Sequence, residues 1–169
     1  MPVTYEFKAK TKRLPDLEAL LLKHQPLFKG LDFQTDTYFK VPFGRLKLRE
    51  GNIEQALIHY FREDTVGAKI SRVLLYEHQP NDNLKEILTT SLGIKTVVAK
   101  KRKIYFIDNV KFHFDEVKDL GTFVEVEAIE TDEVKDLEKL KDQCLFYARL
   151  FGIQEEDYVA LSYSDLLQL

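Results

Sequence analysis

Charged side chains recur at every second position through much of this chain, and that period constrains its fold more than any other feature. In YEFKAK, residues 5–10, an extended backbone puts Glu6, Lys8 and Lys10 on one face and Tyr5, Phe7 and Ala9 on the other. GRLKLRE repeats the pattern, with Arg45, Lys47 and Arg49 opposite Leu46 and Leu48. In VKFHFDEV, Lys111, His113 and Asp115 oppose Phe112 and Phe114, and in FVEVEA, Glu125 and Glu127 oppose Val124 and Val126.

Period-two runs cover residues 3–10, 36–41, 44–49, 56–63, 71–78, 95–106, 110–117 and 122–129. Several joins are short and rich in turn formers, namely VPFG, REGN, DN and KDLG, so hairpins are expected. Helical spacing appears over residues 14–24, 83–92 and 132–151, the last with Leu137, Leu140, Cys144 and Tyr147 as its apolar stripe. About eight mainly antiparallel strands and a few helices predict an α+β chain dominated by a closed barrel with helices packed outside. A length of 169 residues, 44% of them hydrophobic, fits one domain spanning residues 1–169 with a full core.

For any single strand, the simpler reading is a polar face toward water and an apolar face toward a core. A barrel permits the reverse, with charged faces lining a wet interior and apolar faces under the helices. Like charges gathered on one strand face repel, so three bases on one strand and two acids on another imply a missing partner. A polyanion with divalent cations supplies both signs.

A formal net charge of −3 argues against a general nucleic-acid or membrane-surface binder. Cys144 is the one cysteine and cannot form an internal disulfide; it falls on the apolar side of a helix as a buried thiol. No apolar run is long enough to span a membrane, and a cytoplasmic setting is expected. His24, His59, His78 and His113 are scattered and lack metal-ligand spacing, although His113 shares the Asp115 face. The run KKRK reads better as a barrel wall than as a nucleic-acid patch, because strand period puts Lys100 and Arg102 on one face and Lys101 and Lys103 on the other. Neither a P-loop nor a dinucleotide-binding glycine motif is present.

The ordered series YEFKAK, QTDTYF, GRLKLRE, HYFRED, KISR, KKRKIYFIDNVKFHFDEVKDLGTFVEVE and SYSDLL resembles the CYTH superfamily, the triphosphate tunnel metalloenzymes, over nearly the whole chain. The stretch from Asp115 to Glu127 is most similar to the class IV adenylyl cyclase and thiamine triphosphatase branch. The resemblance implies an eight-stranded antiparallel tunnel and Mg²⁺ or Mn²⁺ as cofactor. It implies metal ligation by Glu6, Glu125 and Glu127, with Glu6, Lys10 and Asp115 at catalytic positions. Phosphate contacts would come from Lys8, Lys10, Arg45, Lys47, Arg49, Arg62, Lys69, Arg72, Lys100 and Arg102.

One departure stands out. The family's N-terminal signature is E-x-E-x-K, and here Lys8 occupies the place of the second glutamate. An ammonium there removes a metal ligand and adds a charge that can meet phosphate instead. Three functions follow as expectations: hydrolysis of a phosphoanhydride in ATP, thiamine triphosphate or inorganic polyphosphate; cyclisation of ATP to cyclic AMP and pyrophosphate; or polyphosphate binding without catalysis. No nucleic-acid or membrane partner is expected.

Overall fold

In the computed structural model, which describes residues 3–79 and 81–169, eight antiparallel strands close into a barrel in the order β1-β5-β4-β3-β2-β6-β7-β8. In chain order the elements are β1 (Val3–Lys10), α1 (Leu14–Leu22), β2 (Leu27–Phe39), β3 (Arg45–Glu50), β4 (Gln55–Arg62) and β5 (Lys69–Glu77). They continue with α2 (Asp82–Leu92), β6 (Ile94–Ile107), β7 (Val110–Val117), β8 (Gly121–Ile129), α3 (Leu137–Leu150) and α4 (Tyr163–Leu167). No helix among the described residues is long and apolar enough to cross a membrane.

Charge alternation resolves in favour of the wet interior. The main apolar core lies outside the barrel, where Phe7, Ala9, Phe112, Phe114, Val124 and Val126 are covered by Leu17 and Leu21 of α1 and by Leu140, Cys144 and Tyr147 of α3. Phe112 is fully buried and meets Tyr147 edge-on at 4.6 Å, a burial worth roughly 2–3 kcal/mol. The Cys144 thiol donates to the Tyr5 carbonyl, and burial pushes it up to about 12, so it is a packing group.

Local chemistry sets the turns. Asp108 opens the two-residue β6–β7 hairpin with φ at 50°, a left-handed geometry that aspartate tolerates, and Asn109 then donates to the Ile129 carbonyl. At the β3–β4 turn, buried Asp32 accepts the backbone N–H groups of Ile53 and Glu54 at 3.0 and 2.9 Å. A Cβ on Gly51 would stand 2.5 Å from the Asp32 carboxylate, so this turn needs glycine. The clamp holds Glu54 at the barrel mouth.

Two elements differ from the sequence reading. Strand β2 starts at Leu27 rather than residue 36, with a register irregularity between Phe28 and Gly30, because the 14-residue β6 pairs along its length. Helix α3 starts at Leu137 rather than residue 132, where the Asp136 side chain caps it by accepting from the Glu138 N–H.

Candidate functional site

The barrel encloses a cavity of about 1460 Å³ whose walls carry opposite charge. On one side, Asp36 of β2 accepts two bonds from Arg49 at 2.9 Å and one from Lys100 at 2.7 Å, with Lys47 Nζ at 3.4 Å. Three cations thus share one carboxylate, an excess of two positive charges. Arg49 holds Asp36 well below the usual carboxylate range despite its burial. Burial lowers Lys100 to about 7 against the pull of Asp36.

Strand β3 lies opposite β8 in the eight-strand order, so Lys47 and Arg49 face the acidic wall. There Glu125 and Glu127 of β8 stand beside Lys8 and Glu6 of β1 in direct register. Glu6 is held by Arg62 at 2.6 Å. Glu125 lies between Lys8 at 3.8 Å and Arg102 at 3.7 Å on one oxygen and the His113 Nδ1 at 3.3 Å on the other. Among the described residues, Glu127 has no Lys or Arg within 4 Å, and burial with Glu6 and Glu125 beside it pushes it up to about 7. Half-buried carboxylates gathered on one wall, with Glu127 lacking a cation, fit a divalent metal, since hard oxygen donors suit Mg²⁺ and Mn²⁺ and an ion would relieve their repulsion.

One end of the barrel is shut by the chain's own C-terminus. The Val159 N–H donates to the Lys8 carbonyl at 2.9 Å, and the carbonyls of Ala160 and Leu161 accept from Lys69 Nζ at 2.6 Å and Lys8 Nζ at 3.1 Å. Ser162 then caps α4, which carries the Tyr163 ring to 4.0 Å from Lys8 Nζ and 5.0 Å from the Phe123 ring. Burial lowers Lys8 to about 7 despite Glu125. At the other end, Glu54 pairs with Lys111 and Arg49, and the lining continues past Phe106 to exposed Leu75 and Tyr76.

Of the residues expected at the site, the cavity wall holds Glu6, Lys8, Lys47, Arg49, Arg62, Lys100, Arg102, Glu125 and Glu127. Five expected residues lie elsewhere. Lys10 is exposed beyond Phe123, outside the closed end. Arg45 is held at that end by Asp64 and Asp165, and Lys69 is spent on backbone carbonyls. Arg72 points outward, because β5 register turns Ser71 into the cavity. Asp115 is fully buried behind the wall, bonded twice by Arg102 at 2.7 Å and once by the Tyr163 hydroxyl at 2.8 Å.

Sequence reasoning left out Asp36, Glu54 and Tyr163. Asp36 was legible as an inward position of the strand opposite the basic GRLKLRE face, but its role as a hub for three cations depends on barrel closure. His113 does line the cavity, and burial together with Arg102 lowers it to about 3, leaving the imidazole neutral.

The CYTH domain family model matches residues 3–163. Among solved structures, the chain is similar to a conserved hypothetical protein of Pyrococcus furiosus, at 25% identity over 96% of this chain and 99% of that one, with a TM-score of 0.78. A Vibrio parahaemolyticus protein described as a candidate adenylate cyclase shares 17% identity over 98% of each chain, with a TM-score of 0.80. A Hippeastrum protein described as a candidate adenylyl cyclase with a dominant triphosphatase activity shares 12% identity over 99% of this chain and 95% of that one, at a TM-score of 0.65. No curated protein matches the chain.

Proposed function

The chain belongs to the CYTH domain family, and from that premise we propose that its cavity binds a triphosphate-bearing small molecule or a short inorganic polyphosphate, together with a divalent cation, and hydrolyses a phosphoanhydride bond. The observation that carries this reading is the pair of opposed walls, with three cations around Asp36 on one side and the carboxylates of Glu6, Glu125 and Glu127 gathered on the other. The Vibrio and Hippeastrum likenesses support triphosphate chemistry for the fold.

Lys47, Arg49 and Lys100 would grip the non-bridging phosphate oxygens by charge-assisted hydrogen bonds, with Arg62 and Lys8 reaching from the facing side. Each added phosphate then meets further fixed cations, which sets tripolyphosphate above monophosphate. Glu6, Glu125 and Glu127 would hold the cation, with Mg²⁺ or Mn²⁺ the expected ions. When bound, the ion neutralises phosphate charge and acidifies a coordinated water. The plug of residues 158–167 makes the cavity blind, so the substrate enters from the Glu54 end, terminal phosphate first, and a long chain cannot thread through.

A second reading, binding without turnover, is favoured by Lys8 in place of a metal-binding carboxylate and by Asp115 being closed off by Arg102 and Tyr163. Incubation with ATP, thiamine triphosphate and tripolyphosphate, each with Mg²⁺ or Mn²⁺, separates the outcomes. Release of phosphate supports hydrolysis, cyclic AMP with pyrophosphate would identify a cyclase, and tight binding without product would leave a binding protein.

A further inference from the structure

We propose that His113, Glu125 and Glu127 form a mixed nitrogen and oxygen site that selects a divalent transition ion, of the Co²⁺ and Zn²⁺ class, over Mg²⁺. The site lies in the cavity assigned to a triphosphate, rests on that reading for its purpose, and shares Glu125 and Glu127 with the cation site proposed there, with His113 in place of Glu6. His113 and Glu125 are directly opposed on β7 and β8, and Glu127 is the next inward residue of β8. The imidazole Nδ1 lies 3.3 Å from a Glu125 oxygen and 3.8 Å from a Glu127 oxygen, and the three donor atoms all lie within 4.8 Å of one another. An ion bonded at about 2.0–2.2 Å keeps neighbouring donors roughly 3.0–3.4 Å apart, so a small closing movement completes the site.

Three observations set this cluster apart from an ordinary histidine–carboxylate pair. The Nδ1 to Glu125 separation is long beside the roughly 2.7–2.9 Å of a charge-assisted bond. The His113 Nε2 is buried without a hydrogen-bond partner, and the ring's one bond runs from Nδ1 to the Glu125 carboxylate, which places the proton on Nδ1 in the metal-free protein, where an incoming ion would displace it. Glu125 is divided between two tasks: its Oε1 faces Lys8 and Arg102 while its Oε2 turns to His113. Lys8 and Arg102 therefore serve one Glu125 oxygen, and an ion beside His113 would serve the other together with Glu127. Imidazole is a borderline donor that suits Zn²⁺, Co²⁺ and Ni²⁺, whereas Mg²⁺ seeks octahedral oxygen ligands.

The test titrates Co²⁺, Zn²⁺ and Mg²⁺ into chelator-stripped protein, native and His113→Gln, reading heat and the Co²⁺ visible absorption. We expect loss of the imidazole to weaken Co²⁺ and Zn²⁺ by at least about tenfold and Mg²⁺ by less than about threefold, with the Co²⁺ band moved or lost. Equal Co²⁺ affinity and an unchanged band in the variant overturn the site. Should His113→Gln not fold, Zn²⁺ added to native protein must shift the His113 ring resonances, and resonances that stay put overturn it equally. Tripolyphosphate binding by native protein, with Mg²⁺ and under chelator, measured in the same series, tests the triphosphate reading separately. Failure to bind in both conditions overturns that reading and leaves the metal result standing.

Discussion

Lys8 and Glu125 stand directly across from each other on paired strands β1 and β8, with Lys8 Nζ 3.8 Å from a Glu125 oxygen inside the barrel. The pair is loose, and the ammonium also donates to the Leu161 carbonyl and lies over the Tyr163 ring. One lysine thus ties the acidic wall to the C-terminal plug, at the position where the family signature has a glutamate.

Reversing that charge gives two opposite effects. In Lys8→Glu, a further carboxylate joins Glu6, Glu125 and Glu127, so Mn²⁺ affinity is expected to rise by about tenfold while metal-free tripolyphosphate binding weakens. Calorimetric titration of both ligands into both proteins checks this. A Lys8 outside the site would change neither.

Asp36 is expected to be the most sensitive polar position in the barrel. Asp36→Asn leaves buried Arg49 and Lys100 and half-buried Lys47 around a neutral amide, a loss of about 3–5 kcal/mol for a broken buried ion pair. Because the orphaned groups are cations, tripolyphosphate should raise the variant's melting temperature by more than it raises the native protein's. Denaturant unfolding and thermal melts with and without the anion measure both effects.

Stability of the metal-free protein should be nearly level from about pH 4.5 to 6.5 and climb above pH 7. Glu127, raised to about 7, binds a proton in the folded state that the unfolded chain has lost, which lowers stability as pH rises from about 4.5 to 7. His113, lowered to about 3, makes the unfolded chain the better proton binder up to the ordinary histidine value of about 6.5 and offsets that loss. Lys8 and Lys100, lowered to about 7, make the unfolded chain the better proton binder above that pH, so stability climbs from 7 toward the ordinary lysine value of about 10.5. Urea unfolding across this range should show the level stretch and the climb. Glu127→Gln should turn the level stretch into a rise, and Lys100→Met should reduce the climb.

The barrel was legible in the sequence because side-chain period and strand burial are the same fact: β1 and β7 match their expected bounds, and most other strands fall within two residues. The inward set was legible for the same reason, as Arg49, Arg102, Glu125 and Glu127 show. What could not be read was where along the barrel each charge would sit. Lys10 and Arg45 have the correct parity but lie at the closed end, and that end is made by residues 158–167, whose docking depends on contacts more than 90 residues apart in sequence. Arg72 failed for the simplest reason, a one-residue ambiguity in β5 that turns a side chain to the other face.

The plug should also govern chain-length selection. Tyr163→Phe removes the hydroxyl from Asp115 and is expected to destabilise by about 1–2 kcal/mol without opening the barrel. A chain ending at Val159 removes the closing segment, exposes the inner ends of Lys8 and Lys69, and should bind long linear polyphosphate more tightly relative to tripolyphosphate than the full chain does. Competition binding with polyphosphates of defined length checks the ratio.

The basic wall itself is tested by titrating tripolyphosphate and monophosphate, without metal, into native protein and into Lys47→Ala combined with Arg49→Ala. These two inward neighbours of β3 share Asp36 with Lys100, which remains to pair it, so the variant should stay folded. Native protein should prefer tripolyphosphate by at least about a hundredfold, and the double variant should lose most of that preference as two cations leave the wall. A folded double variant that binds tripolyphosphate as tightly as native protein would contradict the assignment of this cavity to a polyphosphate.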